Sequence, residues 1–204
     1  DLHLLSRRQR QMCIRDSPYA DEVTKNIKEA CQTAGVPYMR ILRENTDMTE
    51  NVTGSAKAHI RVADSMREAV DLLNDKPYLE KNILLTTGSK HLPDYTKIQD
   101  YQNRAYLRLL PSPEMLQKAV DTGFLPAHLI AMQGPFSQEL NVALIKQSGI
   151  GVLVTKQSGK SGGFEEKISA AEQTGTDVIV IKRPKQEDGK NLSEAEAELK
   201  KLMT

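Results

Sequence analysis

The feature that most restricts the fold is a regular beat of apolar runs in the second half of the chain. Runs suited to buried strands begin near Ile83, Tyr106, Leu129, Val152 and Val178, at intervals of 23, 23, 23 and 26 residues. Each interval holds one helix and two short loops, which is the size of a βα unit. The pieces between the strands carry helix punctuation. Ser112-Pro113 opens one helix and Gly123 closes it; Ser137 opens the next and Gly149 closes it. Right-handed crossovers of this kind stack helices on both faces of a parallel sheet. The expected fold class is therefore α/β, with a Rossmann-like parallel-sheet subdomain over residues 81–204 that includes a terminal helix.

The front of the chain is less regular. A helix is expected after Ser17-Pro18, with Ala20, Val23, Ile27, Ala30, Cys31 and Ala34 at helical spacing and Gly35 at its end. Strands are expected at Val36–Leu42 and His59–Val62, and a helix opened by Ser65 with Glu68 forms a capping box. Its inward positions are Met66, Ala69, Val70 and Leu73. Asp75-Lys76-Pro77 breaks it and marks the expected domain junction. Residues 17–80 then read as the remnant of an N-terminal Rossmann-like subdomain. Residues 1–16, rich in Arg and Gln and without core periodicity, read as a non-native or disordered leader. In the last helix, Ser193 with Glu196 is the expected cap, and Leu192, Ala195, Leu199 and Leu202 form a stripe for the protein's own core.

Composition narrows the function classes. A formal net charge of +1 gives no reason to expect nucleic acid or a membrane surface as a partner. No apolar run reaches the roughly 20 residues of a membrane span, and the expectation is a cytoplasmic protein. Cys13 and Cys31 make no disulfide framework, and Cys31 is expected as a core thiol. The four histidines have no metal-ligand spacing, so no metal is expected. His128 reads as structural, while His91 lies nearer the expected ligand edge.

In a parallel sheet, four loops fall together on the carboxyl edge: Thr86–Lys90, Leu110–Pro113, Gln133–Ser137 and Thr155–Gly163. Glycines let backbone approach an anion, and Lys90, Lys156 and Lys160 supply charge. Gly159-Lys160-Ser161 mimics the end of a Walker motif but lacks its earlier glycine, and Gly149-Ile150-Gly151 precedes a strand instead of following one. With no nucleophile constellation, the chemistry that fits is hydride transfer, in which the cofactor reacts and the protein positions it.

Blocks along this chain resemble the precorrin-6A reductase family of cobalamin biosynthesis. They are Ile83–Ser89 (ILLTTGS), Leu109–Glu114 (LLPSPE), Ile130–Asn141 (IAMQGPFSQELN), Leu153–Lys167 (LVTKQSGKSGGFEEK) and Val178–Pro184 (VIVIKRP). The resemblance implies two Rossmann-like subdomains, the first incomplete here. It implies NADPH and a small-molecule corrin precursor between them, and reduction of one ring double bond of precorrin-6A or its cobalt form. The cofactor positions carried over are Thr87, Gly88, Ser89, Gln133, Gly134, Pro135, Phe136, Ser137, Lys156, Ser158 and Gly159. Tyr19, Lys90, Lys160 and Arg183 are expected to meet the substrate's carboxylates. No catalytic residue is assigned, Tyr19 and His91 being the candidates for a general acid. Two departures stand out: the family's opening strand with its GGTxE-type glycine loop has no counterpart, and Ser17 stands where the family has His before Pro-Tyr. The expectation is an N-terminally truncated reductase that binds NADPH poorly or not at all. The alternative is a non-catalytic nucleotide- or tetrapyrrole-binding module using the same loops.

Overall fold

The structure is a computed structural model that describes residues 21–41, 58–157, 163–182 and 189–202. It divides into two compact units, one of Asp1–Asn45 with Arg183–Thr204 and one of Thr46–Lys182.

In the first unit, helix α1 spans Asp21–Thr33. Gly35, at φ 63°, ends it in the left-handed conformation that glycine adopts freely. The expected strand at Val36–Leu42 is absent among the described residues. Ile41 makes only an isolated parallel bridge to Lys190, supported by the Lys190 N–H donating to the Arg40 carbonyl at 2.9 Å. Cys31 is half-buried, not a core thiol, and Thr24 is the buried member of α1 among those described. The expected helix start at Ser17-Pro18 lies outside the described residues.

The second unit holds six strands: β1 (Ile60–Ala63), β2 (Asn82–Leu85), β3 (Ala105–Leu109), β4 (Leu129–Ala131), β5 (Ile150–Lys156) and β6 (Asp177–Ile181). All neighbours pair in parallel, in the spatial order β1-β6-β5-β2-β3-β4. The chain thus winds outward from β2 through β3 to β4, returns to the centre as β5, and winds the other way to β6. The expected strand and helix at residues 59–73 enter this same sheet as β1 and helix α2 (Met66–Leu73). The expected junction at Lys76-Pro77 therefore falls within the sheet-bearing unit.

Both faces of the sheet are buried, as the continuous apolar strand runs require. One parity of side chains, including Ile83, Leu85, Leu107, Val152, Val154 and Ile179, packs against α2 through Met66, Ala69, Val70 and Leu73. These are the four inward positions expected of that helix. The same face takes the short helix α3 (Leu92–Tyr95), and past α4 (Tyr101–Arg104) comes α5 (Pro113–Asp121), which adds Ala119. Phe124 meets Tyr95 and Tyr101 edge-on at 6.3 and 5.3 Å, contacts that stabilise by about 0.5–1.5 kcal/mol each. The other parity, Leu84, Leu153, Val178 and Val180, packs against α6 (Gln138–Gln147) and α7 (Phe164–Thr174).

Two buried polar clusters brace the sheet-bearing unit. Arg104 donates to the carbonyls of Gln99, Tyr78, Lys81 and Leu73 at 2.7–3.1 Å, clamping the end of α2 to the approach to β2. Asp177 accepts from the His59 N–H at 3.1 Å and from the Lys81 ammonium at 2.6 Å.

The last helix, α8 (Leu192–Leu202), returns to the first unit. Its cap lies two residues before the expected one. Asn191 Oδ1 accepts from the Glu194 N–H and Glu194 Oε2 accepts from the Asn191 N–H, both at 2.9 Å. Ser193 sits within the helix instead. Of the expected stripe, Ala195 is buried.

Candidate functional site

Parallel strands place every strand-to-helix loop at one edge, and β2 and β5 are where the two winding directions part. In doubly wound sheets that switch point opens the ligand crevice. The loops after β2, β3, β4 and β5 all leave from this edge.

The loop after β2 is tied down before it turns outward. Thr86 donates through its N–H and its hydroxyl to the Val154 carbonyl at 2.9 and 2.8 Å, locking it to β5. The Thr87 hydroxyl bonds to the Tyr95 hydroxyl, which also donates to the Gly88 carbonyl at 3.1 Å. Thr87 is thus a buried internal brace of this loop. Burial raises the Tyr95 phenol above its ordinary pKa, so it stays a neutral donor. Gly88 then turns at φ 80°, a conformation costly for any residue with a Cβ. Ser89 donates to the Met115 thioether at 3.2 Å.

Beyond this turn, Lys90, His91 and Lys156 come together. Burial, then the charge of Lys90, lowers the Lys156 pKa. His91 is pushed below its ordinary value by burial, opposed by its hydrogen bond to Asp94 at 3.2 Å and reinforced by Lys156 and Lys90. The loop after β2 and the end of β5, distant in sequence, so build one cationic corner.

The loop after β4 borders a cavity of about 340 Å³. Gly134, Pro135 and Phe136 line it together with Gly88 and Met132. A Cβ on Gly134 would stand 3.0 Å from the Phe136 ring, so glycine is what lets the ring fold back over the loop. Ser137 serves as the N-cap of α6, its hydroxyl accepting from the Leu140 N–H at 3.3 Å. Gln133 is exposed between Met132 and Gly134. Ser158, Gly159, Lys160, Tyr19 and Arg183 lie outside the described residues.

Two cavity residues were not anticipated. Arg108, in the penultimate position of β3, faces α6 and α7; it is 5% exposed and its guanidinium lies 4.1 Å from the Phe136 ring centre. It donates to Asn141 Oδ1 at 2.8 Å, and Asn141 in turn donates to the Ser137 carbonyl at 2.8 Å. No carboxylate pairs with Arg108 among the described residues, and burial lowers its pKa to about 10. Lys167 of α7 is 6% exposed and lines the same cavity. Burial, then Arg108, lowers its pKa to about 8, with Glu166 opposing. The signal was present in the sequence. Arg108 interrupts the apolar run Ala105–Leu110, and Lys167 occupies the inward stripe formed by Phe164, Ala170 and Ala171.

His128 stacks on Tyr106 with ring centres 4.2 Å apart, away from this set. No helix among the described residues is long and apolar enough to cross a membrane.

A doubly wound parallel sheet whose glycine turns, cationic corner and cavity gather at the carboxyl edge defines a Rossmann-type α/β fold. The chain belongs to the precorrin-6x reductase CbiJ/CobK family, whose model matches residues 4–201. That match takes in most of the stretch set aside as a leader. The chain is 36% identical over 177 residues to the cobalt-precorrin-6A reductase of Priestia megaterium, covering 84% of this chain and 64% of that protein. It is 34% identical over 167 residues to the enzyme of the same name from Methanothermobacter thermautotrophicus, covering 82% and 52%. The likeness to the Salmonella typhimurium cobalt-precorrin-6A reductase is 33% over 167 residues, covering 82% and 60%. This chain thus spans between half and two thirds of these relatives. A solved structure titled CobK precorrin-6A reductase superposes with a TM-score of 0.62 at 24% identity, covering 90% of this chain and 70% of that one, which shows the fold.

Proposed function

We propose that this chain carries the cleft of an NADPH-dependent reductase that saturates one double bond in the macrocycle of precorrin-6A or its cobalt form, yielding the dihydro product. The observation that carries the reading is the corner of Lys90, His91 and Lys156 at the β2/β5 switch point. Its turn at Gly88 lets backbone approach a phosphate, and its ammonium groups match phosphate charge. These residues fit a nicotinamide dinucleotide, which when bound supplies hydride.

The remaining roles fall to the chain itself. Lys90 and Lys156 hold negative charge at the strand ends. Gly134, Pro135 and Phe136 wall the cleft on the β4 side and exclude water. Thr87 and Tyr95 fix the turn at Gly88, acting through backbone instead of touching a ligand. His91, whose pKa is lowered by burial and its cationic neighbours, donates its Nδ1–H to the Asp94 carboxylate and carries the extra proton of an imidazolium less often than an ordinary histidine.

The test is NADPH oxidation with precorrin-6A, followed by absorbance, in a chain extended to the length of its relatives. Lys156→Ala and Gln133→Ala should each lower kcat/KM by about tenfold to a hundredfold, the worth of one charge-assisted contact, with circular dichroism unchanged. Unaltered turnover in both would remove the cofactor assignments. Ligand binding with no NADPH consumption by the parent enzyme would leave a sensor or carrier in place of the reductase. Fluorescence titration of NADPH into the 204-residue chain checks the expected weak binding.

A further inference from the structure

Resting on the reading above, we infer that Arg108 is a positioning residue of the cleft: through Asn141, and through its own stacking on Phe136, it sets the wall that the loop after β4 presents to the cofactor. It acts through that wall and needs no contact with a ligand.

The loop has little packing of its own. Gln133, Gly134 and Pro135 are exposed, and Phe136 is its half-buried member. The Phe136 ring folds back towards Gly134, where a Cβ would stand 3.0 Å from it. The Arg108 guanidinium lies 4.1 Å from the ring centre, and a desolvated cation holds an aromatic face more strongly than an exposed one. The second hold is a chain of hydrogen bonds. Arg108 donates from Nη1 to Asn141 Oδ1 at 2.8 Å, and the Asn141 amide donates to the Ser137 carbonyl at 2.8 Å. The Asn141 backbone N–H reaches the same carbonyl at 3.2 Å. Ser137 is the N-cap of α6 and follows Phe136 directly. Asn141 is 1% exposed, and these two partners fill the acceptor and donor roles of its amide. Strand β3, the start of α6 and the ring that walls the cleft are thereby connected.

A buried arginine that serves the core looks different. Arg104 gathers four carbonyls from separate segments. Arg108 meets one side-chain amide and one ring, both within the stretch 136–141. Burying a guanidinium is costly, and a chain departs from its local pattern chiefly at functional sites. The placement of Arg108 in an apolar strand is thus matched to the loop and its wall.

Incorporating 4-fluorophenylalanine into the 204-residue chain labels Phe124, Phe136 and Phe164. Arg108→Met and Asn141→Leu should each move the Phe136 fluorine resonance by more than its linewidth and leave that of Phe124 in place. Arg108→Lys, which keeps a cation at the ring, should return it most of the way. Asn141→Leu is the decisive variant because it leaves the guanidinium in place: an unmoved Phe136 resonance there overturns the proposal. In a chain extended to the length of its relatives, both variants should raise the KM for NADPH about tenfold with kcat within about threefold, the pattern of binding lost through a displaced wall. The double variant should go no further than either single one. A lower kcat with KM unchanged is what loss of folded enzyme gives, and it overturns the proposal, as do additive losses. A KM rise in Arg108→Met that Asn141→Leu does not share overturns it too, making Arg108 a direct ligand contact. If a variant misfolds, the Arg108 guanidinium is observed by NMR in the parent chain, where resolved Nη1 protons and slow rotation about Nε–Cζ are expected; free rotation overturns the proposal. The two readings fail separately. A Phe136 resonance that moves in a protein unable to oxidise NADPH sinks the reductase alone, whereas turnover with the parental KM in both variants sinks the positioning role alone.

Discussion

Arg104, the last residue of α4, and Arg108, in the penultimate position of β3, stand four residues apart, both about 5% exposed. Arg104 meets four backbone carbonyls, from Leu73, Tyr78, Lys81 and Gln99. Its removal leaves carbonyl acceptors at a buried position unpaired, and a buried unpaired group costs about 1–3 kcal/mol. Arg104→Met should therefore lower stability by about 3 kcal/mol or more. Arg108 meets a single amide and an aromatic face. Arg108→Met loses about 1 kcal/mol of hydrogen bonding and removes an uncompensated charge, so its stability should stay within about 1 kcal/mol of the parent. Urea denaturation at pH 7 compares the two. A midpoint loss for Arg108→Met as large as that for Arg104→Met would mean that Arg108 is a structural clamp as well.

At the scale of elements, the helix starts offer a direct check on local sequence logic. Ser65 caps α2 by accepting from the Glu68 N–H at 3.2 Å, and Glu68 reaches back to the Asp64 N–H at 2.7 Å. Ser65→Ala should cost about 1 kcal/mol. The start of α8 separates the expected cap from the observed one. Asn191→Ala should cost about 1 kcal/mol and speed amide exchange in α8 about fivefold. Ser193→Ala, at an exposed position inside the helix, should stay within about 0.5 kcal/mol. Equal effects at the two positions would return the cap to Ser193. Both patterns are Ser/Asn-x-x-Glu, and local sequence cannot rank two overlapping boxes. The strands, by contrast, were legible because both faces of a parallel sheet are apolar, and the four inward residues of α2 were legible because they share one helical stripe. Val36–Leu42 reads as a strand by composition, but strand formation needs a neighbour with free edge groups, which no local pattern supplies. In the cleft, Gly88, Gly134 and Lys156 were legible as loop chemistry. Arg108 and Lys167 were missed because each sits in an apolar element, where a lone cation looks like an exception to the pattern, although that exception marks the cavity.

At the scale of the whole molecule, these buried cations should shape stability against pH. Lys167 is held near pKa 8 in the folded protein by burial first and Arg108 second, whereas an unfolded lysine titrates near about 10.4. Below pH 8 both states carry the proton, and the folded state bears the full cost of a buried charge. Between about pH 8 and 10.4 the unfolded chain binds more protons than the native one, so stability rises with pH across that window. Lys156, lowered by burial and by Lys90, acts in the same direction. Above about pH 10 the trend turns, because burial raises the phenols of Tyr95 and Tyr78 and the native state resists their ionisation. Urea unfolding should therefore show a gain of about 1–2 kcal/mol from pH 7 to pH 9.5. In Lys167→Met the gain should shrink to the share of Lys156, and stability at pH 7 should rise toward the parent's alkaline value. A parent profile that is flat from pH 7 to 9.5 would mean that burial does not hold the Lys167 ammonium below its ordinary value in the folded chain.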